Sequence, residues 1–158
     1  MTPRDRWVFL SYRLPRDPSA PRLALWRRLK RLGVVQLLDG LVALPLDSRN
    51  REQLEWTAEQ VAEAGGEASV WLADPTTSAQ SREISQAMSK VIAEQYREVE
   101  KAALGATRAP GRERQTTLAR LRRELSRIRR RDYFPPAERD RAHAAVESLA
   151  RAVEELAA

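Results

Sequence analysis

The chain has 158 residues, 42% of them hydrophobic, with a formal net charge of +6, one histidine and no cysteine. That length fits one domain, or one small domain with a helical extension, and the apolar fraction excludes wholesale disorder. The missing thiols exclude disulfides, thiol redox chemistry and thiolate metal sites, and a lone imidazole leaves no histidine cluster for zinc. The positive balance favours an acidic partner, nucleic acid first. Arginine supplies nearly all of it, which suits forks on phosphate or oxyanions and follows equally from a high-GC gene.

Met1–Arg6 reads as a charged lead-in. Trp7–Leu14 is aromatic, β-branched and aliphatic and ends at Pro15, the profile of a strand. It is too short for a membrane span and has no cleavage site, so a cytoplasmic address without a membrane partner is expected. Ser19, Ala20 and Pro21 start a helix, because proline fits the first turn and serine can cap it. Leu25, Trp26, Leu29 and Leu32 share one side of that helix, Arg27, Arg28, Lys30 and Arg31 the others, and Gly33 stops it. Val34–Leu38 and Leu41–Leu44 are apolar runs joined by Asp39-Gly40, a dipeptide suited to a type I′ hairpin. Leu46-Asp47-Ser48 caps a helix carrying Leu54, Trp56, Val61 and Ala64, closed by Gly65-Gly66. Ala68–Ala73 is a fourth strand.

The order β-α-β-β-α-β over Trp7–Ala73 predicts an α+β fold, a ferredoxin-like βαββαβ sandwich over residues 1–75. Right-handed crossovers would place both helices on one sheet face. The strands are nonetheless apolar on both sides, where a half-covered sheet should alternate. The second face therefore needs a cover, either the chain's own C-terminal helices or a second subunit.

Residues 76–158 read as a helical extension of three helices. Thr77 or Ser78 caps the first, whose Ile84, Met88, Val91, Ile92, Tyr96 and Val99 recur at threes and fours. Gly105–Gly111 is a break. Leu118, Leu121, Leu125 and Ile128 keep heptad spacing in a helix crowded with arginine, which ends at Tyr133-Phe134-Pro135-Pro136. A last helix from Pro136 or Ala137 presents Ala142, Val146, Leu149, Val153 and Leu156.

The segments WVFLSYRLPRDPSAPR at Trp7–Arg22, LWRRLKRLGVVQLLDGLVALP at Leu25–Pro45 and REQLEWTAEQVAEAGGEASVW at Arg51–Trp71, with LRRELSRIRRRDYF at Leu121–Phe134, resemble the N-terminal region of the chromate-resistance regulator ChrB. The resemblance covers nearly the whole chain. It implies a transcriptional regulator, a DNA-binding repressor of a chromate-efflux operon, with chromate as the signal. More distantly the chain is similar to the ferredoxin-like domains of PaaX-type repressors and small CRISPR-associated nucleases. Members of the ChrB family continue into a second, C-terminal domain that these residues do not include, so what is housed there is not expected of them.

Among candidate residues, Arg120, Arg123, Arg127 and Arg130 step by three and four along a stripe away from the Leu118/Leu121/Leu125/Ile128 seam. The stripe either tracks DNA phosphates or is a solvent face pairing with acidic residues of a neighbouring helix. Arg27, Arg28 and Arg31 form a second basic patch, although outward charges are expected on any helix that packs on a sheet. Because chromate is a tetrahedral dianion suited to guanidinium forks, the resemblance points to Arg13, Arg16 and Arg22 as an oxyanion site. Trp26, Trp56 and Trp71 are expected in the core, and His143 on the surface or hydrogen-bonded. No acidic pair stands at a strand end for a divalent metal, and no phosphate loop, nucleophile elbow or Ser/His/Asp set occurs, so neither catalysis nor a cofactor is expected. The alternative to the regulator is a non-catalytic dimeric interaction module acting with a separately encoded partner. The lack of a recognisable helix-turn-helix favours that alternative. A homodimer is expected in either case.

Overall fold

Nine elements follow in order, β1 (Trp7–Arg13), α1 (Ala20–Leu32), β2 (Val35–Leu38), β3 (Leu41–Pro45), α2 (Ser48–Glu63), β4 (Glu67–Ala73), α3 (Ser78–Ala106), α4 (Gly111–Arg131) and α5 (Glu138–Ala157). They belong to a computed structural model that describes residues 6–157, so most of the Met1–Arg6 lead-in lies outside the described residues. The result is a mixed α/β chain of one four-stranded antiparallel sheet and five helices. It forms two compact units, one through Met88 and one from Ser89, with α3 contributing its first turns to the first.

In the first unit the strands lie in the order β2-β3-β1-β4, every neighbouring pair antiparallel. Val8 faces Leu44 and Leu10 faces Val42 across the β1–β3 pair, and all four are fully buried. Each such side chain contributes about 1.5–3 kcal/mol on burial. Helix α2 packs against β1 and β4, and α1 against α2. They bury Leu25 and Leu29 from α1 and Leu54 and Val61 from α2. Asp47 caps α2, its Oδ1 accepting from the Asn50 N–H at 2.6 Å. Ser19 makes no side-chain cap bond on α1, where Pro21 already lacks one of the N–H groups that would need it.

The hairpin differs from expectation. A type I′ turn needs positive φ at both central residues, yet of the two only Gly40 has it, at +75°, and no non-glycine residue among the described residues does. Such a turn splays the strands, and β2 absorbs this with a register shift between Gln36 and Leu38. Gly40 is required here, because a Cβ would sit 2.5 Å from the Tyr12 carbonyl oxygen. The Tyr12 N–H donates to the Gly40 carbonyl at 2.8 Å, holding the turn against the end of β1.

The opposite sheet face carries Trp7, Phe9, Ala43 and Trp71. Trp7 and Ala43 are fully buried, and the Trp7 indole N–H donates to Ser81 Oγ at 3.3 Å, so the first turns of α3 cover that end. The Phe9–Trp71 end stays open, with Trp71 56% exposed.

In the second unit, Ile92, Tyr96 and Val99 of α3, the Leu118/Leu121/Leu125/Ile128 seam of α4, and Ala142, Val146 and Leu149 of α5 form one core. The expected break is shorter than Gly105–Gly111: α3 runs to Ala106, and α4 starts at Gly111 directly after Pro110. Thr77 is the residue that caps α3, accepting from the Gln80 N–H at 3.1 Å.

Candidate functional site

A cleft of about 800 Å³ lies beside α1 in the first unit. Three segments build it: the end of β1 with the following turn, one flank of α1, and the β2–β3 hairpin. The turn and α1 contribute Arg13, Arg16, Ser19 and Arg22 to its lining. Leu14, Leu23, Leu25 and Trp26 add apolar lining, and Tyr12, Gln36 and Asp39 add polar lining. The three arginines selected for an oxyanion line one cleft. Arg13 Nη2 lies 2.9 Å from Glu67 Oε2, an ion pair exposed on both sides and worth little in water. Arg16 and Arg22 make no ion pair among the described residues, and both are at least partly open to solvent. Burial raises the Tyr12 phenol above its ordinary pKa, with Arg22 opposing and Asp39 reinforcing. Tyr12 thus stays a neutral donor at physiological pH. Tyr12, Ser19, Gln36 and Asp39 are not singled out by residue type or spacing. The signal that could have found them is the pairing of the Asp39-Gly40 turn with the end of β1.

The second candidate surface is on α4. Arg120, Arg123, Arg127 and Arg130 are all exposed, on the side of the helix opposite the buried seam. Arg127 meets Glu124 of its own helix at 3.5 Å. Arg120, Arg123 and Arg130 form no ion pair among the described residues. The ion pairs from α3 to α5 use other residues, Arg97 with Glu138 and Arg141 with Glu100.

The α1 patch is divided. Arg27 and Arg31 are exposed, but Arg28 is committed to α2: its Nε donates to Thr57 Oγ1 at 2.8 Å and its Nη2 to Gln53 Oε1 at 3.0 Å. Its guanidinium lies 3.7 Å from the centroid of the Trp56 ring. Burial, with the charge of Arg31, lowers its pKa from the usual arginine value. Arg28 joins two helices and is not an open cation.

The tryptophans also differ from expectation. Trp26, Trp56 and Trp71 are 38%, 49% and 56% exposed. Trp56 sits on the flank of α2 under Arg28, Trp26 lies under Lys30 on the flank of α1, and Trp71 is on an edge strand, its N–H bonded to Ser11 Oγ. His143 is half-buried beside Tyr96, with Nε2 buried and without a hydrogen-bond partner among the described residues. It is therefore neither at the surface nor hydrogen-bonded through that nitrogen.

No helix of the described residues is long and apolar enough to cross a membrane. No curated protein and no solved structure matches the chain. The family model described as Protein ChrB, N-terminal, matches residues 22–158. That span starts at Arg22 of the cleft and takes in all but the first two residues of α1 and the whole arginine face of α4, and the chain belongs to the ChrB N-terminal family.

Proposed function

We propose that this protein is a DNA-binding, chromate-responsive transcriptional regulator that represses an efflux operon in the cytoplasm. Membership of the ChrB N-terminal family points to a role in chromate resistance. The observation that carries DNA binding is the α4 face, where Arg120, Arg123 and Arg130 project to solvent without ion-pair partners among the described residues. A solvent face serving salt bridges would have acidic residues opposite it, and among the described residues this one has only Glu124 beside Arg127. Guanidinium groups spaced along about 15 Å of helix suit successive phosphates.

In this reading Arg13, Arg16 and Arg22 receive the chromate dianion, and no residue acts in catalysis. The first unit is a ferredoxin-like βαββαβ sandwich, supported by the order β2-β3-β1-β4, in which each strand–helix–strand crossover skips one strand. The regulator is a homodimer, for which the half-exposed Trp71 and Leu72 of the edge strand β4 are the supporting surface.

The experiment is an electrophoretic shift of the purified protein on its own upstream region, with and without chromate, at two salt concentrations. A specific shift that weakens with chromate and with salt is expected. A protein that shifts no DNA at low salt is not a DNA-binding regulator by itself, and the interaction-module alternative then takes its place.

A further inference from the structure

We propose that the cleft beside α1 binds an aromatic anion, a ligand with a phosphate- or carboxylate-like head on a flat apolar body, and not a bare oxyanion alone. The inference goes beyond the chromate reading while resting on the same arginines. Size is the first argument. About 800 Å³ is within the range of small-molecule sites, roughly 300–1,000 Å³, and several times what a four-oxygen ion fills.

The chemistry of the lining is the second. Arg13, Arg16 and Arg22 share the cleft with Leu14, Leu23 and Trp26, apolar surface that an inorganic ion would leave wet. Leu23 is 53% exposed and Trp26 is 38% exposed. Scattered exposed apolar residues are ordinary, but here they share one concavity with the cations. Asp39, which also lines the cleft, disfavours an anion beside it, so the negative head belongs with the arginines and the apolar body along Leu23 and Trp26. Tyr12 and Gln36 add polar groups for a ligand's own hydrogen-bonding substituents.

The test uses 1-naphthyl phosphate, inorganic phosphate and chromate as probes, each titrated calorimetrically into the full chain. Naphthyl phosphate is expected to bind at least tenfold more tightly than inorganic phosphate. Trp26→Ala, and separately Leu23→Ser at a half-exposed position, should remove most of that advantage while leaving phosphate binding unchanged. Arg16→Ala with Arg22→Ala should weaken both ligands tenfold or more. Melting curves identify any variant that fails to fold, and the Leu23 change serves if the Trp26 change does. Equal affinities for the aryl and inorganic phosphates would overturn the proposal, as would an aryl advantage untouched in a folded Trp26 or Leu23 variant. Chromate binding without any aryl advantage leaves the oxyanion reading standing and removes this one. Aryl phosphate binding without chromate binding does the reverse, and binding of neither removes both from the cleft.

Discussion

The Tyr96 hydroxyl donates a 2.8 Å hydrogen bond to Asp132 Oδ2, joining the middle of α3 to the residue that ends α4. Tyr96 is fully buried. Burial, then the bond to Asp132 and the charge of its carboxylate, push the phenol pKa well above its ordinary value. The folded state thus holds that proton more tightly than the unfolded chain does. The resulting stability is complete below the unfolded tyrosine value, about 10, and is lost as pH rises from there through the folded value. Asp132 Oδ1 is buried without a hydrogen-bond partner among the described residues, so deleting the hydroxyl strips the carboxylate further. Tyr96→Phe should cost about 1.5–3 kcal/mol at neutral pH, the usual range for a bond to a charged group. Urea melts at pH 8, 10 and 11 check both statements: wild type should lose stability above pH 10 more steeply than the variant. Parallel curves would mean the phenol is not linked to folding.

Arg28 holds α1 to α2 through Thr57, Gln53 and the Trp56 ring, and that predicts a stability effect. Arg28→Ala should lower unfolding free energy by about 2 kcal/mol, from two charge-assisted bonds and a cation–π contact. Arg28→Lys should recover less than half, because an ammonium cannot reproduce the flat two-donor fork. Arg27→Ala and Arg31→Ala, at exposed positions, should shift the urea midpoint little. A destabilisation by Arg31→Ala equal to that by Arg28→Ala would contradict the assignment.

The elements were readable because their signals are local. Asp47, Gly33 and Thr77 cap or stop helices as their residue types require, and the α4 seam is buried at its heptad positions. What failed depends on neighbours. Helical spacing puts Trp26 and Trp56 near an apolar side, but which flank is covered depends on where the next helix lies. Trp71 alternates like a core residue, yet β4 is an edge because the chain enters the sheet in the order β2-β3-β1-β4. The choice of Arg13, Arg16 and Arg22 comes from the family resemblance, whereas Tyr12, Gln36 and Asp39 of the same cleft come together only once β1 meets the hairpin.

The α4 stripe makes the electrostatic prediction. Arg123→Glu with Arg127→Glu should weaken DNA binding across all sequences and flatten the log–log salt slope by about 0.9 for each phosphate no longer neutralised. The fold should persist, since both residues are exposed and the seam is untouched; only the Arg127–Glu124 ion pair disappears. Affinity at two salt concentrations, read beside the melting temperature, separates the cases. A lower melting temperature with binding that falls only with the folded fraction would show that the arginines serve structure. Unchanged affinity and slope in a stable variant would remove α4 from the DNA surface and leave Arg27 and Arg31 as the cations to test.

The edges of the sheet lead to the assembly prediction. The β2 edge is four residues long and carries a register shift, both devices that discourage pairing with another chain. The β4 edge runs seven residues in unbroken register with β1, has no proline or lysine, and exposes Trp71 and Leu72 on opposite faces. A second copy adding antiparallel about a two-fold axis at Val70 would set Ser69 opposite Trp71 and Ala68 opposite Leu72. Paired positions would then keep the same face, so both sheet surfaces would continue across the junction. Light scattering at tens of micromolar should give a dimer for wild type. Trp71→Lys with Leu72→Lys should give a folded monomer, because edge lysines resist strand addition. Leu38→Lys, at a 67% exposed position beside the other edge, should leave the dimer intact. Loss of the dimer in the Leu38 variant alone would move the interface to β2, and a wild-type monomer across the micromolar range would rule out strand addition altogether.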